Sequence, residues 1–416
     1  MGFYLGSNLI DDLNMIIPRD FVTENLFLQR QLSIFSYDIS EVGSYAFYGC
    51  NSLTSVNFPQ VTSIRQYAFY YCSSLTSISF PQATLIAAYA FYHCDALTSV
   101  SFPKATRINS SAFYGCSSLA SISFPQVTSV GAYAFYNCNA LISVNFPKTS
   151  EVGSYAFYGC GNLASIKFPS ATYIRAYAFY NCNSLSSISL AQASYIYSNA
   201  FASCDALTSI TLPRVLRISS RAFYECYSLN TVTCAKLTSI EGSCSLRVVG
   251  SKSHTSLYGG FAFCRSLQTI SVPLLSYIGP TAFAYCSYLT SFIGPKVLTV
   301  DGSYIVSSSK ANATIYRHSL YGGAFASCYR LSIVSLPQVT EINRYAFVNC
   351  YNLLSLYLLG SSIPSLVATA FRSTPISNYT TSTGGVYGSI FVPASLYSDY
   401  LVASGWSVYS ARIVSV

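Results

Sequence analysis

At 416 residues the chain would ordinarily divide into two or three globular domains, yet only 9% of it is charged, 16% is aromatic and mean hydropathy is +0.40. That balance hints at a membrane, but Ser, Thr, Asn or Gln interrupts every few positions and no apolar run reaches the ~18 residues a spanning helix needs, so the chain does not read as membrane-spanning. A net charge of +8 with no Lys/Arg run argues against nucleic-acid binding and leaves a mild preference for anionic surfaces.

Residues 1–41 precede the first full repeat. The opening stretch from Met1 has no basic start and no long apolar segment, so no secretory signal peptide is expected there. Leu32 to Ile39 alternates like a strand and carries half a repeat. The segment reads as an N-terminal cap for the open end of a stack.

From Val42 the chain is built on one signature, Phe-x-x-Cys-x-x-Leu. Its Phe returns at 47, 69, 91, 113, 135, 157, 179, 201 and 223, always 22 residues apart, then at 261, 283, 325 and 347, with Phe371 opening a degenerate copy. Self-similarity at such a period signals a solenoid and overrides any local reading. Within a copy, Leu53, Val56 and Phe58 have leucine-rich-repeat spacing, and Pro59 should end a strand because it cannot donate to a ladder. Val61, Ile64 and the Phe of the next signature complete about six inward groups per coil. Ser40–Cys50 is identical to Ser150–Cys160, which reads as duplication. Ala191 and Ala235 stand in place of Pro, Cys234 takes a Phe position, and Gly294 is expected to leave one coil underfilled.

Thirteen of the fifteen cysteines occupy one repeat position (50, 72, 94, 116, 138, 160, 182, 204, 226, 264, 286, 328 and 350). Coils stacked at the ~4.8 Å inter-strand spacing would just permit bridges between neighbours. Stacked side chains point the same way, however, and free Cys is among the most buried residue types. A ladder of buried thiols is the expectation, with scattered disulfides the alternative. Zinc would want paired Cys-x-x-Cys or Cys/His groups, which are absent, so no metal or other cofactor is expected.

The pattern Ala-Phe-x-x-Cys-x-x-Leu-x-x-Ile-x-x-Pro resembles the BspA-like leucine-rich repeats, a family of microbial cell surfaces and of some phage and protist proteins. The resemblance covers about 80% of the chain. It implies a mainly-β repeat solenoid, a leucine-rich-repeat stack of about 14 coils over residues 42–371 with a cap at each end.

Two insertions break the rhythm at one phase of the repeat, 16 residues between Ile240 and Phe261 and 20 between Val300 and Phe325. Both open with acidic-Gly-Ser, at Glu241 and Asp301, and close with Ser-Leu-Tyr-Gly-Gly at 256–260 and 319–323. Alternating runs at Ser245–Val249 and Thr314–Arg317 flank polar centres, the pattern of β-hairpins. The insertions, about 241–258 and 301–321, should project from one edge as neighbouring fingers. Beyond Phe371, residues 372–416 read as a C-terminal cap. A loop leads to a strand near Ser389–Pro393, then a helical face of Leu396, Tyr397, Tyr400 and Leu401, a helix end at Gly405, and Trp406 sealing the last coil.

Catalysis has little to work with: three histidines, no clustered carboxylates, no nucleophile motif and no phosphate-binding loop. His93 reads as a variable turn residue and the chain is expected not to be an enzyme. Three surfaces remain. Outward strand positions such as Ser77/Ser79 and Ser99/Ser101 make a hydroxyl ladder, and Tyr45-type and Tyr48-type residues make aromatic ladders that end where the insertions begin. The hairpins break an otherwise strict repeat, and insertions often lie on a binding face. The candidate ligand-binding residues are therefore Arg247, Lys252, His254, Tyr258, Lys310, Tyr316, Arg317, His318 and Tyr321. The family resemblance implies an adhesin, with a host or microbial cell-surface protein or glycan as partner and an extracellular, cell-surface or virion-exposed location. The start from Phe3 to Leu9 resembles phage structural proteins, which keeps a tail-tip or fibre receptor-binding role open, and a purely structural spacer is the third reading.

Overall fold

The computed structural model of the protein describes residues 15–17, 39–249, 252–305, 320–377 and 387–416. The chain divides into two compact units, Met1–Ala191 and Gln192–Val416. Each is a mainly-β parallel solenoid with little helix, the architecture the 22-residue period predicts. Of the strand expected from Leu32, residues 32–38 lie outside the described residues, and Ile39–Val42 is a strand.

In the first unit the coils alternate two kinds of short strand. Ser77–Ser79, Ser99–Ser101 and Ser121–Ser123 pair in parallel with Ser over Ser and the central Ile or Val over its counterpart. Ser63–Ile64, Leu85–Ile86 and Arg107–Ile108 build a second parallel sheet. Pro81 and Pro103 follow the three-residue strands closely, where their missing N–H stops the ladder.

The Tyr-Ala-Phe stretch closes each coil without strand structure. There the N–H groups alternate. Phe47 and Gly49 each donate to the next coil, to the carbonyls of Ala68 and Tyr70 at 2.7 Å, while Ala46 and Cys50 turn back to Gly43 and Phe47. Two residues per coil take positive φ, for example Tyr67 (59°) and Tyr71 (57°), then Tyr89 (59°) and His93 (53°). Gly and Asn share the second of these positions in other coils, as left-handed geometry favours. Tyrosine at the first is the unexpected choice. It costs about 1–2 kcal/mol per residue, and cross-coil hydrogen bonds and ring stacking hold it there.

The core repeats with the coil. Leu75, Phe80, Ala83, Ile86, Ala90, Phe91 and Cys94 are all fully buried. The signature phenylalanines stack face to face from Phe47 to Phe179, with ring centroids 4.9–5.3 Å apart. Fourteen cysteines, the thirteen of the ladder and Cys234, are buried thiols outside any disulfide. Ladder thiols are spent on backbone rather than on each other. Cys72 Sγ donates to the Phe47 carbonyl (3.0 Å) and Cys138 Sγ to that of Phe113 (3.2 Å), and the pattern recurs along the ladder.

The second unit repeats this plan, its Phe ladder running from Phe201 to Phe371 at 5.2–5.7 Å. The gap expected at Gly294 is absent. Phe292, where other coils have Ile or Val, turns its ring into the core against Phe283 and Phe325 (5.7 and 5.0 Å). A Cβ on Gly294 would strike Phe292 and Val297, so glycine makes room for that ring. At the C-terminal end Ser389–Val392 and Ile413–Ser415 extend a five-stranded parallel sheet. Helix Tyr397–Val402 lies between them. Trp406 is fully buried; its Nε1–H donates to the Pro364 carbonyl at 2.7 Å and its ring packs near Phe371 and Tyr400. Of the expected helical face, Tyr400 is buried and Leu396, Tyr397 and Leu401 are half-buried.

Candidate functional site

Both insertions pair as antiparallel strands, Cys244–Val249 with Lys252–Leu257 and Gly302–Ile305 with Leu320–Gly323. Their first strands run close enough for Cα atoms to come within 8 Å of each other, so the hairpins are neighbours, as their shared phase predicts. The register sets Arg247 directly opposite His254, Lys252 opposite Val249, and Tyr321 opposite Tyr304. Lys310, Tyr316, Arg317 and His318, with the expected run Thr314–Arg317, lie outside the described residues. Tyr258 plays an internal part. It is half-buried, and the Arg221 guanidinium lies 3.7 Å above its ring, a cation–π contact that ties the hairpin foot to the preceding coil.

The recurring end motifs have a steric cause. A Cβ at Gly242 or Gly259 would collide with the carbonyls of Pro280 and Thr281, and at Gly302 or Gly323 with those of Arg344 and Tyr345. Each insertion leaves and rejoins its coil where the next coil's backbone passes too close for any side chain. The loss of the Tyr stripe is explained in the same way. Leu257 packs in one buried cluster with Ala262, Ala284, Ala326 and Val348, the residues that replace the stripe's tyrosines. Small side chains there leave room for the hairpin foot.

In the first unit seven tyrosines, from Tyr48 to Tyr180, stack continuously with centroids 4.5–4.9 Å apart. Burial and neighbouring phenols push several of them upward in pKa, Tyr92 to about 12. Their ring faces are consumed by one another, which leaves edges and hydroxyls for solvent. His93 stacks on Tyr71 (5.2 Å) and bonds Asp95 (3.2 Å), consistent with a turn residue.

Hydroxyls in this unit fall into two sets. Thr62, Thr84, Thr106 and Thr128 each donate to a backbone carbonyl one coil earlier, at 3.1–3.4 Å, and are structural. Ser77, Ser79, Ser99, Ser101 and Ser121 are exposed, and their hydroxyls have no hydrogen-bond partner among the described residues. With Val56 and Asn57 they line an open concavity of about 500 Å³. Among the described residues no group of His, Cys, Asp and Glu could hold a metal ion, and no helix is long and apolar enough to cross a membrane.

Comparison with known proteins agrees with this geometry. The model of the BspA type leucine-rich repeat region matches residues 40–152, 128–247 and 258–377. The chain belongs to the BspA-type leucine-rich repeat family. A leucine-rich repeat protein of Bacteroides ovatus is similar in structure, with 25% identity, a TM-score of 0.53, and 77% of this chain and 82% of that one covered. A leucine rich cell surface protein of Faecalibacterium prausnitzii (22% identity, TM-score 0.35, 79% and 84% covered) and a leucine-rich repeat protein of Eubacterium ventriosum (18%, 0.35, 83% and 86%) also match. No curated protein matches. Residues that leave the repeat consensus on an exposed face are where this chain departs from its own pattern. One such group lies outside the hairpins and was not anticipated from the sequence. The position after the signature Cys is small, polar or acidic through the first unit (Asn51, Ser73, Asp95, Ser117, Asn139, Gly161, Asn183), whereas in the second it reads Asp205, Tyr227, Arg265, Ser287, Tyr329 and Tyr351. That switch was legible once the coils were aligned by column.

Proposed function

We propose that this BspA-type solenoid is a non-enzymatic binding protein that attaches to a cell-surface protein or glycan from an extracellular or surface-exposed location. One observation carries the reading: two hairpins interrupt a strict repeat at the same phase, lie beside each other, and hold Arg247 and His254 on directly opposed backbone positions. Insertions that serve no ligand would not need to converge. The exposed, unpartnered serines of the strand face offer a second polar contact surface.

Binding of the purified chain to whole cells and to a glycan array tests this, beside a variant in which 244–256 and 303–319 are replaced by short turns. The variant retains Leu257 and the glycine feet, and circular dichroism establishes that it is folded. Loss of binding in the variant supports recognition by the hairpins. Retained binding moves recognition to the repeat faces, and no binding by either protein leaves a rigid spacer.

A further inference from the structure

The second unit presents an aromatic and cationic surface on the turn after the signature Cys. Tyr227, Tyr288, Tyr329 and Tyr351 are 37–44% exposed, and Arg265 and Arg330 are exposed beside them. Arg330 lies 4.1 Å above the Tyr288 ring and Arg265 lies 5.4 Å above that of Tyr227, while Tyr329 stacks on Tyr351 at 5.6 Å. Neither guanidinium has an ion-pair or hydrogen-bond partner among the described residues. The acids Asp205 and Glu225 sit at the N-terminal end of this surface, where burial, Glu225 and Asp205 together raise the Tyr227 hydroxyl, and neither acid forms an ion pair with Arg265 or Arg330 among the described residues. By contrast, Arg217 in the same unit is paired with Glu241. Ile333 and Leu354, 44% and 37% exposed, add apolar area in the same coils.

We infer that this face, separate from the hairpins, docks a protein partner through an acidic segment that carries apolar side chains. Tyr and Arg are the residues that anchor protein interfaces. Two guanidiniums held over rings, with their planar forks of donors unspent, suit bidentate carboxylate recognition. A pyranose stacks on an open ring face, and here one face of each ring is taken by arginine or by another tyrosine. The aliphatic pair Ile333 and Leu354 fits the apolar side chains of a peptide and contributes nothing to a polyanionic sugar. This surface does not require the hairpins to bind anything, and its test is independent of them.

The probe is a random dodecapeptide display library selected on the intact chain, with affinities of enriched peptides measured by fluorescence anisotropy. Enriched sequences should combine Asp or Glu with Leu, Phe or Tyr. They should bind the Arg265→Glu/Arg330→Glu variant about tenfold or more weakly, the Arg265→Lys/Arg330→Lys variant to an intermediate degree, and the hairpin-replaced protein unchanged. Circular dichroism of each variant guards against misfolding. Enrichment of basic or uncharged peptides, or equal affinity for the charge-reversed variant, overturns the inference. So does a soluble polyuronate that competes as well as the peptides do and depends on the same arginines, because it assigns the face to anionic glycan.

Discussion

Raising the pH should weaken the first unit through its cysteines before its tyrosines matter. Its seven ladder thiols, at 50, 72, 94, 116, 138, 160 and 182, are buried, and burial holds each above the ordinary thiol value, Cys50 at about 11 and Cys160 at about 12. In the unfolded chain a thiol ionises near pH 8.5, at about 8.5 against about 10 for tyrosine. The folded state therefore keeps protons that the unfolded state releases. Its stabilising contribution is complete below about pH 8.5 and drains away as pH rises toward the folded values. From pH 7.5 to 9.0 the loss is about 0.8 kcal/mol per thiol, or roughly 5–6 kcal/mol for the ladder. A unit the size of Met1–Ala191 has roughly 10–29 kcal/mol of stability at 0.05–0.15 kcal/mol per residue, so the urea midpoint should fall visibly. Urea titrations followed by circular dichroism under reducing conditions at the two pH values measure it, with Ellman's reagent reporting thiol access. Equal midpoints, or ladder thiols that react in the folded protein as fast as in urea, would refute the argument from burial.

Restoring the consensus tyrosine beneath the first hairpin, Ala284→Tyr, should destabilise by about 1–3 kcal/mol, because Leu257 occupies the space; hydrogen exchange should show the hairpin foot opening. An unchanged exchange pattern would mean that Leu257 does not depend on the small stripe. In the first unit Tyr136→Ala removes stacks on Tyr114 (4.5 Å) and Tyr158 (4.8 Å) and should cost about 1–3 kcal/mol at roughly 0.5–1.5 per pair. Tyr136→Phe should be nearly neutral in the same thermal melt, since the hydroxyl has no partner among the described residues. Ser111 is buried at φ 56° with no ring to lose, so Ser111→Gly should raise stability by about 0.5–1 kcal/mol. A lower melting temperature would show that the left-handed position is not strained.

How far the candidate site was legible varied by residue. The hairpins announced themselves because an insertion in a strict repeat changes the phase of everything after it. Their matching ends are visible in the sequence, and only the close passage of the Pro280 and Arg344 carbonyls gives the glycines a reason. Tyr258 was read as a ligand contact, yet its ring is engaged with Arg221. The Tyr/Arg face was missed because its members are scattered in sequence and meet only when coils stack.

The amino-acid pattern by itself determined the period, the parallel stacking and the buried thiol ladder. A side chain repeated every 22 residues meets its own copy, and an apolar copy must face inward. The tertiary structure alone decided that tyrosine occupies a left-handed turn, that ladder thiols donate to the carbonyl one coil back, and that a hairpin foot packs on the small residues that replace the Tyr stripe. Each of these depends on what the adjacent coil places within a few ångströms, a distance that periodicity does not encode.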